Sequence, residues 1–330
     1  MSPFFASAFF TDALPALLHL CLFPGGLFAL AFGLILKGVD RRAEARLQRR
    51  IGPPLRQPWY DLAKLFTKTQ IIPCAAHRVA FLAAPVIALA GVLTCAALLP
   101  VPGVTSGLSD MGDLLVILYL LPLSGIALML GGSASGSPYG AVGLSREMSL
   151  MLAYELPLSA IFLAVALKAG TATGGIAEFS LRVIVSHQSV FGQIGFDPTM
   201  IPALLAWLFV VPATLGIAPF DLAEAETEIL EGPLLEYSGP ALAFFQMASA
   251  VKLFLVLGLG VTLFFPGTLP GGPFVNLIWF MAKCLLGMLL AVTLVRAAHG
   301  RLRTDQALRL FTRVPTALAC LSLALAWLGL

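Results

Sequence analysis

Between Ala241 and Phe265 the chain reads ALAFFQMASAVKLFLVLGLGVTLFF, with Lys252 as its one charge. A helix needs about 20 apolar residues to cross the hydrocarbon core of a bilayer. Further apolar runs approach or exceed that length. Inside lipid every backbone N–H and C=O must be satisfied internally, so such runs leave only helices or a closed barrel. A barrel would show alternating segments of about ten residues. The runs here are continuously apolar, which selects helices. Composition agrees: 59% of residues are hydrophobic and only 11% charged, against about 25% charged in a typical soluble domain.

The expected fold is therefore all-α, a polytopic membrane protein of about eight transmembrane helices plus an amphipathic helix on the cytoplasmic side. The expected spans are 12–36, 78–100, 112–134, 147–168, 199–218, 240–265, 273–295 and 310–329. No Lys or Arg precedes the first run and no cleavage site follows it, so that run is expected to be retained. No internal repeat or soluble segment is evident. Residues 1–330 read as a single integral membrane domain, with a first loop at 37–77 and an acidic loop at 219–239.

Sixteen of the twenty Lys and Arg residues fall in the first, third and seventh loops, whereas the opposite side holds only Lys168 and Arg182. The positive-inside rule makes the basic side cytoplasmic and places both termini outside. The acidic loop then faces the cytoplasm as well.

That loop, APFDLAEAETEILEGPLLEYSG, holds Asp221, Glu224, Glu226, Glu228, Glu231 and Glu236, six of the seventeen acidic residues in the chain. Asp221-x-x-Glu224 has capping-box spacing with Asp221 as N-cap. A helix begun there would place Glu224, Glu228 and Glu231 on one face and would end at Gly232-Pro233. A well-capped solvated helix is one reading of the pattern. A proton funnel or a surface for a basic partner is the other, because like charges at this spacing repel unless something offsets them.

In the first loop, Gly52, Pro53 and Pro54 enforce a turn. After Pro58, the residues Trp59, Leu62, Ala63 and Phe66 recur at helical spacing, as in a helix lying on the membrane surface. It serves either as an interfacial anchor or as a docking surface for another subunit.

Within the spans, Glu147 and Glu155 lie in LSREMSLMLAYELPLS. A carboxylate there costs about 2.5–3.5 kcal/mol on insertion scales, so such residues usually face water or an ion route. Glu155 is the deeper, whereas Glu147 beside Arg146 also reads as a solvated carboxylate at the cytoplasmic edge. Their spacing, a little over two turns, suggests a shared face about 12 Å long. Lys252 and Lys283 are the natural counter-charges. The cysteines Cys21, Cys74, Cys95, Cys284 and Cys320 are dispersed, without the clustered spacing that metal clusters need. No phosphate-binding, dinucleotide or serine-nucleophile motif is present, and no nucleic-acid partner is expected. A stand-alone transporter would show internal repeats and paired broken helices.

Three separated motifs carry a resemblance. PFDLAEAETEILEGPLLEYSG resembles the fifth-loop signature of the complex I subunit 1 family. AYEL at Ala153–Leu156 is similar to that family's fourth-helix motif, and RRIGP…QP…D…KLF…K to its first loop. The first loop is shortened at Gly52–Pro58, Glu147 stands where complex I proteins usually carry Gln, and Gly232-Pro233-Leu234 follows the acidic segment. In these respects the chain is more similar to the membrane-anchor subunits of energy-converting (group 4) nickel–iron hydrogenases. The resemblance implies a connector in a prokaryotic cytoplasmic membrane that contains no redox centre of its own. Its implied partners are the hydrogenase small and large subunits, an iron–sulfur subunit and antiporter-like membrane subunits. The NiFe centre and iron–sulfur clusters would reside in those partners. Carried over by motif, Asp221, Glu224, Glu226, Glu228, Glu231, Glu147 and Glu155 would form an ion path, joined by Lys252 and Lys283 on the reading of the spans. Arg49, Arg50, Asp61, Lys64 and Glu236 would support docking. The alternative within the family is a quinone-reductase subunit that helps to form a quinone site.

Overall fold

The computed structural model describes residues 20–104, 112–173 and 177–329. It is helical throughout, with only isolated bridges and no β-strand among the described residues. Among the described residues six helices are long and apolar enough to cross a membrane, and Ile201–Thr214 is a shorter apolar one. This is a multi-pass membrane protein.

The first described helix, α1, is Gly26–Leu47. The start of the expected 12–36 span, with the N-terminus, lies outside the described residues. α1 continues well past the expected end at residue 36. It can do so because Asp40 and Glu44, two of its charged residues, find partners across the molecule. The surface helix α2 spans Gln57–Thr67, with Pro58 in its first turn where no amide donor is required. Leu62 is buried, and the Phe66 ring meets Phe244 edge-on.

α3 is Arg78–Leu98. The third expected span is two segments, α4 (Leu114–Leu120) and α5 (Leu123–Ala134), which meet at Leu121-Pro122. The fourth, expected at 147–168, is the much longer α6, Pro138–Thr173. A helix that the sequence pattern did not announce, α7 (Leu181–Phe191), lies between α6 and α8 (Ile201–Thr214). α8 ends early, at Thr214, and residues 215–218 turn away.

In the acidic loop only Glu226–Ile229 (α9) is α-helical, followed by a single 3-10 turn at Gly232–Leu234. The expected helix from Asp221 to Glu231 is therefore corrected. Three consecutive left-handed residues, Leu230 (φ 52°), Glu231 (φ 67°) and Gly232 (φ 49°), terminate α9 after one turn.

α10, Gly239–Phe264, matches expectation closely. α11 is Pro273–Met288. It passes through a π-helical turn at Leu289–Thr293 into α12, Leu294–Ala298. α13 is Thr304–Trp327, starting earlier than the expected residue 310.

α10 is the axis of the molecule: 83% of its apolar window is buried, against 28% for α13 and 33% for the α11–α12 rod. It packs against α1, α2, α3 and α11, while α6 packs against α13, α5 and α8. The α3–α5 contact joins the two groups. Membrane helices gain little from hydrophobic transfer between one another and rely on close packing. At the α1–α10 crossing Gly33 supplies it, since a Cβ there would lie 2.1 Å from the Ala250 carbonyl oxygen. Around that crossing Phe28 and Phe32 meet Phe254 edge-on.

Overpacking a tight core contact typically costs about 1–3 kcal/mol. Gly33→Val should therefore lower the melting temperature of the detergent-extracted protein or abolish its monodisperse peak on size exclusion. An unchanged melt and elution profile would contradict this packing.

Candidate functional site

The acidic loop is held down from below. Pro233 wedges between two helices: a Cβ on Gly132 of α5 would meet Pro233 Cβ at 3.0 Å, and one on Gly143 of α6 would meet its Cδ at 2.5 Å. Tyr237 stacks on Phe81 at 4.0 Å between ring centroids and donates its hydroxyl to the Phe81 carbonyl at 2.9 Å. Ser238 Oγ accepts the Ile71 amide of the first loop at 3.0 Å. These contacts support the left-handed Leu230 and Glu231, which cost about 1–2 kcal/mol each for residues with a Cβ.

Under this loop lies a cavity of about 470 Å³. Its walls come from α1, α2, α5, α6, α10, the turn after α8 and the acidic loop. Six residues that the sequence singled out line it together: Glu147, Asp221, Glu224, Glu231, Lys252 and Asp61. Glu147 is buried, and the glycine at 125 leaves room for it: a Cβ there would lie 3.0 Å from Glu147 Oε1. Lys252 is buried in the middle of α10. Charges this deep persist only with partners or water.

Asp221 does not cap a helix. Its Oδ2 accepts from Arg301 at 2.6 Å, and Arg301 also donates to Thr227 Oγ1 at 3.0 Å. The Leu302 amide, 3.0 Å from the Pro219 carbonyl, ties the same two loops together. An ion pair displaces the weaker capping interaction. Asp221 Oδ1 is buried without a protein donor, on a residue that lines the cavity.

Glu224 precedes the short helix and turns inward. Burial, then the Asp221 and Glu147 carboxylates, push its carboxyl up to about 7, with Glu231 adding to the effect and Lys37 opposing it. A carboxyl at that value exchanges protons at neutral pH.

Other expected members lie elsewhere. Glu155 is half-buried on α6 and does not reach the cavity. Eight residues at 100° per residue leave about 80° between side chains, so Glu147 and Glu155 do not share a face. Lys283 donates to the Phe265 and Gly267 carbonyls at 2.7 and 2.5 Å and lies 5.4 Å from the Trp279 ring centroid. It therefore fastens the turn after α10 and is not a counter-charge to Glu147. Glu226 opens α9. Glu228 is exposed and pairs with Arg146 at 2.5 Å, in a separate cleft of about 210 Å³ shared with Arg301, Arg303 and Asp305. Arg49, Arg50 and Lys64 are exposed and Glu236 is half-buried, off the cavity. Asp61 accepts from Arg41 at 3.0 Å and from Gln57 at 2.8 Å, which joins α2 to α1.

Four cavity residues were missed: Lys37, Asp40, Arg41 and Arg296. Lys37 contacts the Ser249 hydroxyl and, at 3.4 Å, the Gln246 carbonyl. In the sequence Lys37, Arg41 and Arg296 counted only toward orientation, and Asp40 was not singled out. For the three on α1, the helical spacing from Lys37 to Glu44 was the available signal. The free cysteines are dispersed, and no metal-binding group of His, Cys, Asp and Glu occurs among the described residues.

Fold and site together define a polytopic membrane protein built around a charged cavity beneath an acidic loop. The comparisons place it further. The chain matches the NADH dehydrogenase family over residues 21–327 and belongs to it, within the subunit 1 branch. It is 34% identical over 285 residues to formate hydrogenlyase subunit 4 of Escherichia coli (strain K12), covering 84% of this chain and 89% of that protein. It is 33% identical over 310 residues to the corresponding NADH-quinone oxidoreductase subunit of Thermomicrobium roseum, covering 87% and 88%. Among solved structures, a chain of the membrane-bound sulfane sulfur reductase, an archaeal respiratory membrane complex, superposes with a TM-score of 0.83 at 29% identity, covering 96% of this chain and 99% of that one.

The raised carboxyl of Glu224 has a measurable consequence. Between about pH 4.5 and about 7 the folded protein holds a proton that the unfolded chain has released. Stability therefore falls as pH rises through that window and is flat above it. Glu224→Gln should remove this component of the slope, seen as a flatter plot of melting temperature against pH. Parallel slopes for the two proteins would contradict the assignment.

Proposed function

We propose that this chain is the membrane-anchor and connector subunit of an energy-converting hydrogenase-type complex, with the charged cavity as part of its ion path. The observation that carries the reading is the gathering of Glu147, Asp221, Glu224, Glu231 and Lys252 around one cavity. Water occupies about 30 Å³ per molecule in the liquid, so a cavity of this size has room for a chain of waters between the carboxylates. Likeness to a formate hydrogenlyase subunit and to a respiratory complex supports assembly with redox partners.

On this reading the basic loops and the acidic loop face the cytoplasm of a prokaryotic cell, and the termini lie outside. The peripheral module rests on the first and acidic loops, where Arg49, Arg50, Lys64, Glu228 and Glu236 are presented. Its small and large subunits and an iron–sulfur subunit carry the NiFe centre and clusters, and antiporter-like subunits adjoin this chain in the bilayer. Electron transfer in the module is coupled to proton or sodium movement. Glu155, off the cavity, would serve such a path only at its lateral side. Lys283, bound to the turn after α10, keeps a peripheral part.

A second reading has a specific observation behind it. The cavity touches both the first loop, at Pro58 and Leu62, and the acidic loop, and part of its wall is apolar, including Leu34, Leu128 and Leu242. Those are features a quinone site would use, and a subunit of NADH-quinone oxidoreductase is among the relatives.

Affinity purification through a tag on this chain, in mild detergent from its own host, separates the two. Co-purifying nickel and iron with no bound quinone is the expected result. Stoichiometric quinone without nickel would replace the first reading with the second, and an isolated chain that moves ions in liposomes would overturn both. In the intact complex, Glu147→Gln should leave assembly unchanged and lower ions moved per redox turnover about tenfold or more, as loss of a positioned proton-transfer group does. A normal ratio would remove Glu147 from the path.

A further inference from the structure

One charged group at the rim of the cavity is used by neither the ion path as read from sequence nor the docking surface. Asp40, on α1, is only 5% exposed. Its Oδ1 accepts from Thr293 Oγ1 at 2.7 Å, and its Oδ2 lies 3.4 Å from an Arg296 nitrogen. The same nitrogen is 3.1 Å from Glu44 Oε2, one turn along α1. Arg296 is thus held between two carboxylates, with the longer and weaker contact to the buried one.

The π-helical turn Leu289–Thr293 ends at Thr293, three residues before Arg296. Three residues apart, the two lie on one side of the rod and reach the same carboxylate. Such turns cost regular hydrogen bonding and are frequent at functional sites. Asp40 and Arg296 both line the cavity, as do the neighbouring charges Lys37 and Arg41 on α1 and Asp61 on α2.

We propose that Asp40 is a further monovalent-cation station of the cavity and that Arg296 is its displaceable counter-charge, aligned by Thr293 at the π-helical turn. A buried carboxylate must be neutralised at every stage. When a proton from cavity water adds to an Asp40 oxygen, or a sodium ion is coordinated there, Arg296 moves wholly onto Glu44. When the cation leaves, Arg296 returns. No bond to carbon is made or broken and nothing is oxidised or reduced. The Asp40–Glu44–Arg296 group gains one positive charge while the cation is held and loses it when the cation leaves. The proton or sodium ion is taken from the cavity and returned to it, and each carboxylate has one cation while the station is loaded. The inference rests on the ion-path reading above.

The test uses the intact complex, purified from host membranes and reconstituted in vesicles, with a pH-sensitive dye and radiolabelled sodium read against redox turnover. Asp40→Asn should assemble and lower cations moved per turnover about tenfold or more. Thr293→Val, which keeps both charges, should lower the same ratio, and Thr293→Ser should restore it. The dye and the isotope distinguish a proton from sodium. Should Asp40→Asn fail to assemble, the Thr293 pair decides: a wild-type ratio in Thr293→Val overturns the proposal. A wild-type ratio in assembled Asp40→Asn overturns it directly. Glu147→Gln, run alongside, separates the two levels. If it lowers the ratio while Asp40→Asn does not, the inference alone falls; if neither does, the ion-path reading falls with it.

Discussion

A charge at membrane depth must be neutralised or hydrated, and the architecture of this protein follows from meeting that requirement. An apolar chain with 11% charged residues could have kept all its charges in the loops. Instead Glu147, Lys252 and Asp40 are buried, and several helices contribute walls to the cavity that solvates them. Pairing alone would not favour this arrangement, because a buried ion pair seldom outweighs its desolvation and an apolar replacement is often as stable. The charges are therefore better explained by what they do than by what they hold together. Packing is supplied separately, by close approaches such as Gly33 to Ala250 and by the aromatic cluster around Phe254.

Much of this was legible in the sequence, for physical reasons. Continuous apolar runs located the spans, and the bounds of α10 agree with expectation to one residue at each end. Helical spacing after Pro58 identified α2. The cost of a carboxylate in lipid pointed to Glu147 and Glu155 and the cost of an ammonium to Lys252 and Lys283; Glu147 and Lys252 line the cavity and the other two do not. The misses share a cause, which is that long-range pairing is invisible to local pattern. Asp40 and Arg296 are 256 residues apart, and without that partner α1 reads as ending at residue 36. Arg301 draws Asp221 out of a capping role from 80 residues away. Lys283 was read as a counter-charge because the turn whose carbonyls it binds cannot be seen in a linear span. Glu155 is a different error, of angle: eight residues are not a whole number of turns.

The unwound acidic loop is the most consequential of these departures. As one regular helix it would have kept Glu224, Glu228 and Glu231 along a common, repelling face. Broken at Leu230 and Glu231, and pinned by Pro233 between α5 and α6, it turns Glu228 to the outer cleft and leaves Glu224 and Glu231 on the cavity. Glu224 goes inward and titrates near neutrality, while Glu228 stays outside against Arg146. The repulsion is relieved for Glu228, which gains Arg146 as a partner, whereas between Glu224 and Glu231 it persists and helps to raise the Glu224 carboxyl. The strain of two left-handed residues is part of the cost of this arrangement.

On the proposed reading, this arrangement would give the surface a means of acting on the interior. Arg301 holds Asp221, and Asp221 is the carboxylate whose charge contributes most to raising the proton affinity of Glu224 after burial itself. Arg301 lies on the same outer cleft as Arg146 and Glu228, where a docked module would make contact on the proposed reading. Drawing Arg301 toward an acidic group of such a partner would leave the Asp221 charge less compensated. Its field would then fall more heavily on Glu224, favouring proton uptake there. The coupling needs no large motion of helices, only a change in which carboxylate one arginine serves, and by linkage it runs both ways: a proton on Glu224 weakens the interior's claim on Arg301.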